Sequence, residues 1–323
     1  MADRVINMIM LGPSGVGKSS LLATMYREIG RMSTDFSLRP EEATQDNLDA
    51  AYHNLSRVMD QTVFAPVEGL LQGTQGFIEH QFEVVFKGTK EFDLVFHDFR
   101  GGGMMRSGAD LDTLKAKVAR SHVIFNVLDS VALMEVSDDP REDELNGHDR
   151  VKTLLEKTFQ QDEKYLIVFV LVKCETYIKT ASCREQLAKR FEERHRSVLR
   201  LIERLNETSR NVVGVLIPAI TLGCVEFSRI ENGNFIFERT HRSFEPRDVD
   251  QPLRYALAFA LSHVQEVQTL WSAICKPGES VFSAIIRNMS GRRSAFAESL
   301  RAFCRDRNTG YKKYGNESLL EVK

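Results

Sequence analysis

Residues 12–19, Gly-Pro-Ser-Gly-Val-Gly-Lys-Ser, bring glycines, a lysine and a hydroxyl into the spacing Gly-x-x-x-x-Gly-Lys-Ser. Glycine at Gly12, Gly15 and Gly17 lets backbone N–H groups converge on an anion, and a helix starting at Lys18 adds positive potential at the same point. The chemistry is phosphate binding. In such a loop the Lys18 ammonium reaches the β- and γ-phosphates of a nucleoside triphosphate and Ser19 ligates Mg2+, while Pro13, Ser14, Val16 and Ser20 complete the cradle. A second cluster is Asp98-Phe99-Arg100-Gly101. In a phosphate-loop fold a carboxylate at this strand end, Asp98, holds the Mg2+ shell. The glycine three residues later, Gly101, offers its N–H to the γ-phosphate.

These groups need elements to position them. The apolar run 5–11 predicts a strand and Lys18 to about Ile29 a helix, with Gly30 a natural stop. Residues 31–40 are polar, and a second helix over about 41–59 forms a helical insertion spanning about 40–60. The punctuated stretch 61–77 reads as loop. Phe77–Phe86 and Phe92–His97 then read as a hairpin turning at residues 87–90 and delivering Asp98. A glycine-rich loop, 101–110, carries Met104 and Met105. Beyond it the pattern predicts a helix over 111–119 and a strand over 122–128 ending at Asp129-Ser130. It continues with a solvated acidic loop over 138–144, a helix over about 149–160 and a near-continuous apolar strand over 164–172. One long charged helix is expected over 181–206, then a strand over 211–217, a hairpin over 224–239 turning at Asn232-Gly233, and a closing helix over about 248–271. This alternation predicts an α/β P-loop NTPase fold, a mostly parallel sheet flanked by helices, over residues 1–275. Residues 276–323 hold ten Lys or Arg against five Asp or Glu and read as a basic, mainly helical C-terminal extension.

Taken together, the phosphate loop, the hairpin and Asp98-Phe99-Arg100-Gly101 resemble a Ras-like GTPase domain of the translation-factor-related class. Within that class the insertion, the Lys-Cys-Glu box and the late hairpin are most similar to bacterial double-GTPase domains of multi-gene conflict systems. The resemblance implies a GTP/GDP and Mg2+ binder whose first-switch threonine, binding Mg2+ and the γ-phosphate, is Thr74, with Thr62 the alternative. It also implies that Lys173 stacks on guanine, that Glu175 accepts from the base N1–H and 2-amino group with Cys174 between them, and that Ala219 supplies a backbone N–H to O6. Two positions depart from the family pattern. Val172 stands where an asparagine or threonine ties the base-reading loop to the phosphate loop, and Gly102 stands where a glutamine orients the attacking water. Slow hydrolysis follows, unless Arg100, Arg106 or a partner supplies the missing group.

Composition removes other classes. The 323 residues are 42% hydrophobic and 27% charged with formal net charge −2, so nothing indicates nucleic acid as a partner. Five scattered cysteines without Cys-x-x-Cys spacing argue against a zinc site or disulfide framework and for a reducing compartment. No apolar run reaches the length of a membrane span, and the first strand starts too early for a signal peptide, so a cytoplasmic location is expected. Protein partners are expected through the switch loops and the C-terminal extension. Residues 12–19 also resemble the loop of guanylate kinase, which leaves a nucleotide kinase as an alternative; the hairpin ending at Asp98 speaks against it. A transporter-type ATPase lacks its Leu-Ser-Gly-Gly-Gln signature here. A third reading is a nucleotide-gated interaction module that binds GTP without turning it over.

Overall fold

Strand β1, Val5–Leu11, sends Ile6, Met8 and Met10 into one apolar cluster and Ile9 and Leu11 into another. A strand covered on both faces belongs at the centre of a sheet flanked by helices. The computed structural model describes residues 5–32, 36–59, 63–64, 77–99, 109–136, 146–160, 162–260, 295 and 312–321. After β1 come α1 (Lys18–Met32), β2 (Phe36–Pro40), α2 (Glu42–Met59), β3 (Val63–Phe64), β4 (Phe77–Phe86) and β5 (Thr89–Phe99). Then follow α3 (Ala109–Ala119), β6 (Val123–Asp129), α4 (Ser130–Glu135), α5 (His148–Thr158), β7 (Tyr165–Val172), a 3-10 turn (Glu175–Ile178), α6 (Ala181–Arg194) and α7 (Arg196–Thr208). The chain continues with β8 (Val212–Pro218), β9 (Val225–Glu231), β10 (Asn234–Arg239), the helical residues 251–260, here α8, and β11 (Lys312–Gly315).

Eight strands form a mixed, mostly parallel sheet in the order β11-β8-β7-β6-β1-β5-β4-β2. The five strands from β8 to β5 are parallel; β4, β2 and β11 enter through antiparallel pairs. The chain runs from β1 to β5 on one side and back to β6 on the other, so the strand order reverses at β1. In open α/β sheets that reversal opens a crevice at the carboxyl ends of the strands. On one face, α1, α2 and α8 bury Leu21, Met25, Leu48, Leu253 and Phe259 against the sheet. On the other, α3 to α7 bury Leu114, Val131, Leu155, Phe191 and Ile202. All of β7 is buried, alternating Leu166, Val168, Val170 and Val172 toward the first cluster with Tyr165, Ile167, Phe169 and Leu171 toward the second. Each such aliphatic side chain contributes about 1.5–3 kcal/mol.

Several expectations change. Residues 36–40, read only as part of a polar stretch, form an edge strand pairing with β4, where Pro40 is tolerated because an edge leaves backbone donors outside the ladder. Helix α1 passes Gly30 and ends at Met32. The expected single helix over 181–206 is two, because the chain turns at His195. A short helix, α4, follows β6, with the Asp129 side chain accepting from the N–H groups of Val131 and Ala132. Within the C-terminal extension, residues 312–315 form a strand of the main sheet, while residues 276–294 and 296–311, where its helices are expected, lie outside the described residues. The 224–239 hairpin forms as expected, and Asn232 and Gly233 both have positive φ. Its strand β10 also pairs with β3, making a separate sheet in the order β3-β10-β9.

Candidate functional site

The chain leaves β1 at the point of strand reversal and turns through residues 12–17 before α1 begins at Lys18. Gly12, at φ 143°, lies so close to β6 that a Cβ there would sit 2.6 Å from the Val127 carbonyl oxygen. Gly17, at φ 113°, holds a conformation closed to other residues at the helix entrance. Val16 is buried and anchors the loop, while Ser14 and Gly15 at its crest are exposed. Lys18 is buried, and its ammonium donates to the carbonyls of Gly12 at 3.1 Å and Pro13 at 3.0 Å. Burial pulls this ammonium below the usual lysine range, and the Asp98 carboxylate opposes the shift. Ser20, the third residue of α1, is buried, its carbonyl accepting from Thr24 Oγ1.

Asp98 is the penultimate residue of β5, inside the strand rather than after it, and pairs in register with Met10 of β1. Its Oδ2 accepts from Ser19 Oγ at 3.1 Å, joining residues 79 apart in sequence. Buried His80 lies near it, held below the usual histidine range by desolvation against the pull of Asp98. His97, the next residue back, is pushed down to about 4 by burial and by Lys117. Neither ring adds positive charge beside Asp98 at neutral pH. Arg100, Gly101, Gly102, Thr62, Thr74 and Arg106 lie outside the described residues.

At the end of β7 the chain bends through Lys173, at φ 55°. The Lys173 ammonium meets Asp129 Oδ2 at 2.6 Å and lies 3.4 Å from the Gly15 carbonyl oxygen, with the Phe237 ring centroid 5.9 Å away. Lys173 therefore rests against the loop of residues 12–17. Cys174 is buried with Sγ 3.6 Å from the Ala219 carbonyl, and burial raises its thiol well above the usual range, which makes it inert packing. Glu175 is half-buried; desolvation pushes its carboxyl up to about 7, although its own N–H and those of Gly223 and Leu222 hydrogen-bond to it. The Ala219 amide, expected to face a base, instead donates to the Leu171 carbonyl at 2.8 Å, because β8 keeps its parallel pairing with β7 one residue past Pro218. The amides that face the Glu175 carboxyl belong to Leu222 and Gly223. Val172 is a core residue, 1% exposed.

The small sheet closes this side. Thr176 Oγ1 donates to the Phe227 carbonyl at 3.4 Å, and Lys179 pairs with Glu226 at 2.6 Å, so β9 is fastened to the 3-10 turn after Lys173. Asp129, Asn146 and Phe237 are site residues that sequence reasoning missed. Only Asp129 carried a signal, as an acidic residue ending an apolar strand. No group of three or more His, Cys, Asp or Glu suited to a metal occurs among the described residues, and no described helix is long and apolar enough to cross a membrane.

No protein-family model and no curated protein matches the chain. Among solved structures it is similar to the GTPase-like domain of S. cerevisiae Ski7, in one crystal structure bound to GTP and another bound to GDP and inorganic phosphate. In each case the TM-score is 0.39 at 13% identity, covering 68% of this chain and 43% of the other. It is also similar to sup35 in complex with GDP, with a TM-score of 0.32 at 9% identity over 68% of this chain and 38% of the other. The chain spans less than half the length of each of these solved chains.

Proposed function

We propose that this chain is a GTP-binding molecular switch that hydrolyses GTP slowly and signals its nucleotide state to protein partners. The observation that carries the reading is the 3.4 Å approach of the Lys173 ammonium to the Gly15 carbonyl, which joins residues 158 apart in sequence, one following β1 and the other following β7. A phosphate cradle with a base-reading lysine against it is an arrangement for a nucleotide rather than for a free anion. Triphosphate oxygens replace the Gly12 and Pro13 carbonyls as partners of the Lys18 ammonium, supplying the charge that its burial lacks.

The residues present fit Mg2+. Ser19 offers a neutral oxygen and buried Asp98 a carboxylate, both hard oxygen donors, and their 3.1 Å contact places them at one spot beside the loop. When bound, the ion neutralises charge on the β- and γ-phosphates. Thr74 is the proposed third oxygen donor and Gly101 the proposed γ-phosphate N–H. Guanine is read by Glu175, whose carboxylate accepts from N1–H and the 2-amino group; adenine offers an unprotonated N1 that a carboxylate repels. With glycine at 102, the isolated chain has no side chain there to orient water.

Mass spectrometry of the co-purifying nucleotide, followed by calorimetric titration of GTP and ATP with Mg2+, tests the reading. GTP or GDP in the pocket and preference for GTP are expected. Bound ATP, or phosphate transfer to GMP, overturns it.

A further inference from the structure

Two loops that share one ligand must be held in register, and the family pattern assigns that task to a polar side chain at position 172. Here Val172 is packed into the apolar cluster. The tie comes from elsewhere. Lys173 Nζ is held by Asp129 Oδ2 at 2.6 Å while it reaches the Gly15 carbonyl. Asp129 ends β6, and its side chain is 6% exposed. Its other oxygen, Oδ1, accepts from the N–H groups of Val131 at 2.9 Å and Ala132 at 3.1 Å. Its backbone N–H donates to Asn146 Oδ1 at 2.9 Å, and Asn146 Nδ2 donates back to the Asp129 carbonyl at 3.4 Å. The carboxylate therefore cannot rotate toward another partner without giving up the cap of α4. Lys173 needs such a hold, because a residue with a Cβ adopts its positive φ only at a cost. A charge-assisted bond from an ammonium to a fixed, nearly dry carboxylate is among the stronger polar contacts available.

We propose that Asp129 is the positioning residue of the base site: it holds the Lys173 ammonium against the Gly15 carbonyl, joining the base-reading loop to the phosphate loop in place of the side chain absent at Val172. Asn146 braces Asp129 from behind. The inference rests on the reading that Lys173 and Glu175 contact guanine. Asp129 acts through Lys173 and touches no ligand.

The test uses the full chain and two probes, GTP and inorganic tripolyphosphate, each with Mg2+. Asp129→Asn keeps an oxygen to cap α4 and removes the charge; Asn146→Ala removes only the brace. Wild type is expected to bind GTP at least about 100-fold tighter than tripolyphosphate, the margin being the base contribution. Asp129→Asn narrows that margin by about tenfold or more and leaves tripolyphosphate affinity within about twofold, and Asn146→Ala falls between. Lys173→Met narrows it similarly, and adding Asp129→Asn to Lys173→Met changes the margin by less than about twofold, because the two residues act as one unit. Should Asp129→Asn fail to fold, Asn146→Ala gives the same comparison between the probes. An unaltered margin in the folded variants overturns the positioning role while GTP binding stands, and equal losses for both probes reduce Asp129 to a structural part. A wild type that binds GTP no better than tripolyphosphate overturns the guanine reading, and this inference falls with it.

Discussion

Glu175 is a carboxyl group held between two demands. Burial raises it to about 7, so the folded protein keeps its proton more tightly than the unfolded chain does, and the carboxyl's stabilising contribution is complete below about 4.5 and declines as pH rises toward 7. Guanine needs the opposite state, since a carboxylate accepts from two base donors and a protonated acid does not. GTP affinity is therefore expected to rise about tenfold between pH 6 and pH 8 and to level off above, as calorimetry across that range will show. Glu175→Gln should flatten the profile, weaken GTP and favour xanthosine triphosphate, whose 2-oxygen takes the amide donor; an unchanged base preference removes Glu175 as the reader. Lys18→Ala tests the other end of the ligand. It deletes the one side-chain ammonium of the loop, and triphosphate affinity should fall at least about tenfold, worth about 1.4 kcal/mol. Equal binding by a folded Lys18→Ala protein refutes the phosphate site.

The break between α6 and α7 shows how an element is shaped by what it covers. A straight helix over 181–206 would be about 39 Å long, well beyond the roughly 26 Å of the eight-residue strand β7. The chain instead stops at His195, whose N–H bonds to the Phe191 carbonyl at 2.8 Å, and restarts so that Val198, Leu199 and Ile202 join Leu187 and Phe191 on the same apolar cluster. The His195 ring is fully buried and stacks on Phe191 with centroids 4.6 Å apart. Burial, with the neighbouring His148, pushes this imidazole down to about 3. A base depressed in the folded state contributes stability that is complete above the unfolded value near 6.5 and lost as pH falls toward 3. Between pH 7.5 and pH 5 this group should cost about 2 kcal/mol, and His195→Phe should remove that slope. Chemical denaturation of both proteins at the two pH values measures it; an identical pH dependence shows that other groups set the acid sensitivity. The helical pattern of 181–206 was legible, but the break was not, because nothing local to His195 marks it.

Across the whole molecule, the C-terminal residues close the β8 edge of the sheet, and their seat is narrow. Lys312 and Tyr314 both reach Glu192, at 2.9 Å and 3.1 Å, and Leu319 is buried in the cluster that holds α1 and α8. Gly315, at φ 80°, passes so near β8 that a Cβ would lie 2.6 Å from the Val212 carbonyl oxygen and 2.4 Å from Asn206 Nδ2. Gly315→Ala should therefore lower stability by about 2–3 kcal/mol and speed tryptic cleavage after Lys312 and Lys313, with nucleotide affinity retained. A change under about 0.5 kcal/mol would show that the strand does not depend on this close approach. This edge, like the β2 edge, was hidden from sequence reasoning because four or five residues carry too little periodicity to be seen, and what makes them strands is the partner beside them. The glycine loop of residues 12–17, the hairpin that delivers Asp98 and the apolar strand before Lys173 took their conformations locally, from glycine dihedrals and runs of apolar side chains, and sequence alone was enough for those and for the α/β class. Tertiary structure alone decided that Ser19 meets Asp98, that the Ala219 amide is taken up by Leu171, and that Asp129 holds Lys173. Each of those is a contact between strand ends far apart in the chain, set by the order and register of a sheet that no local pattern encodes.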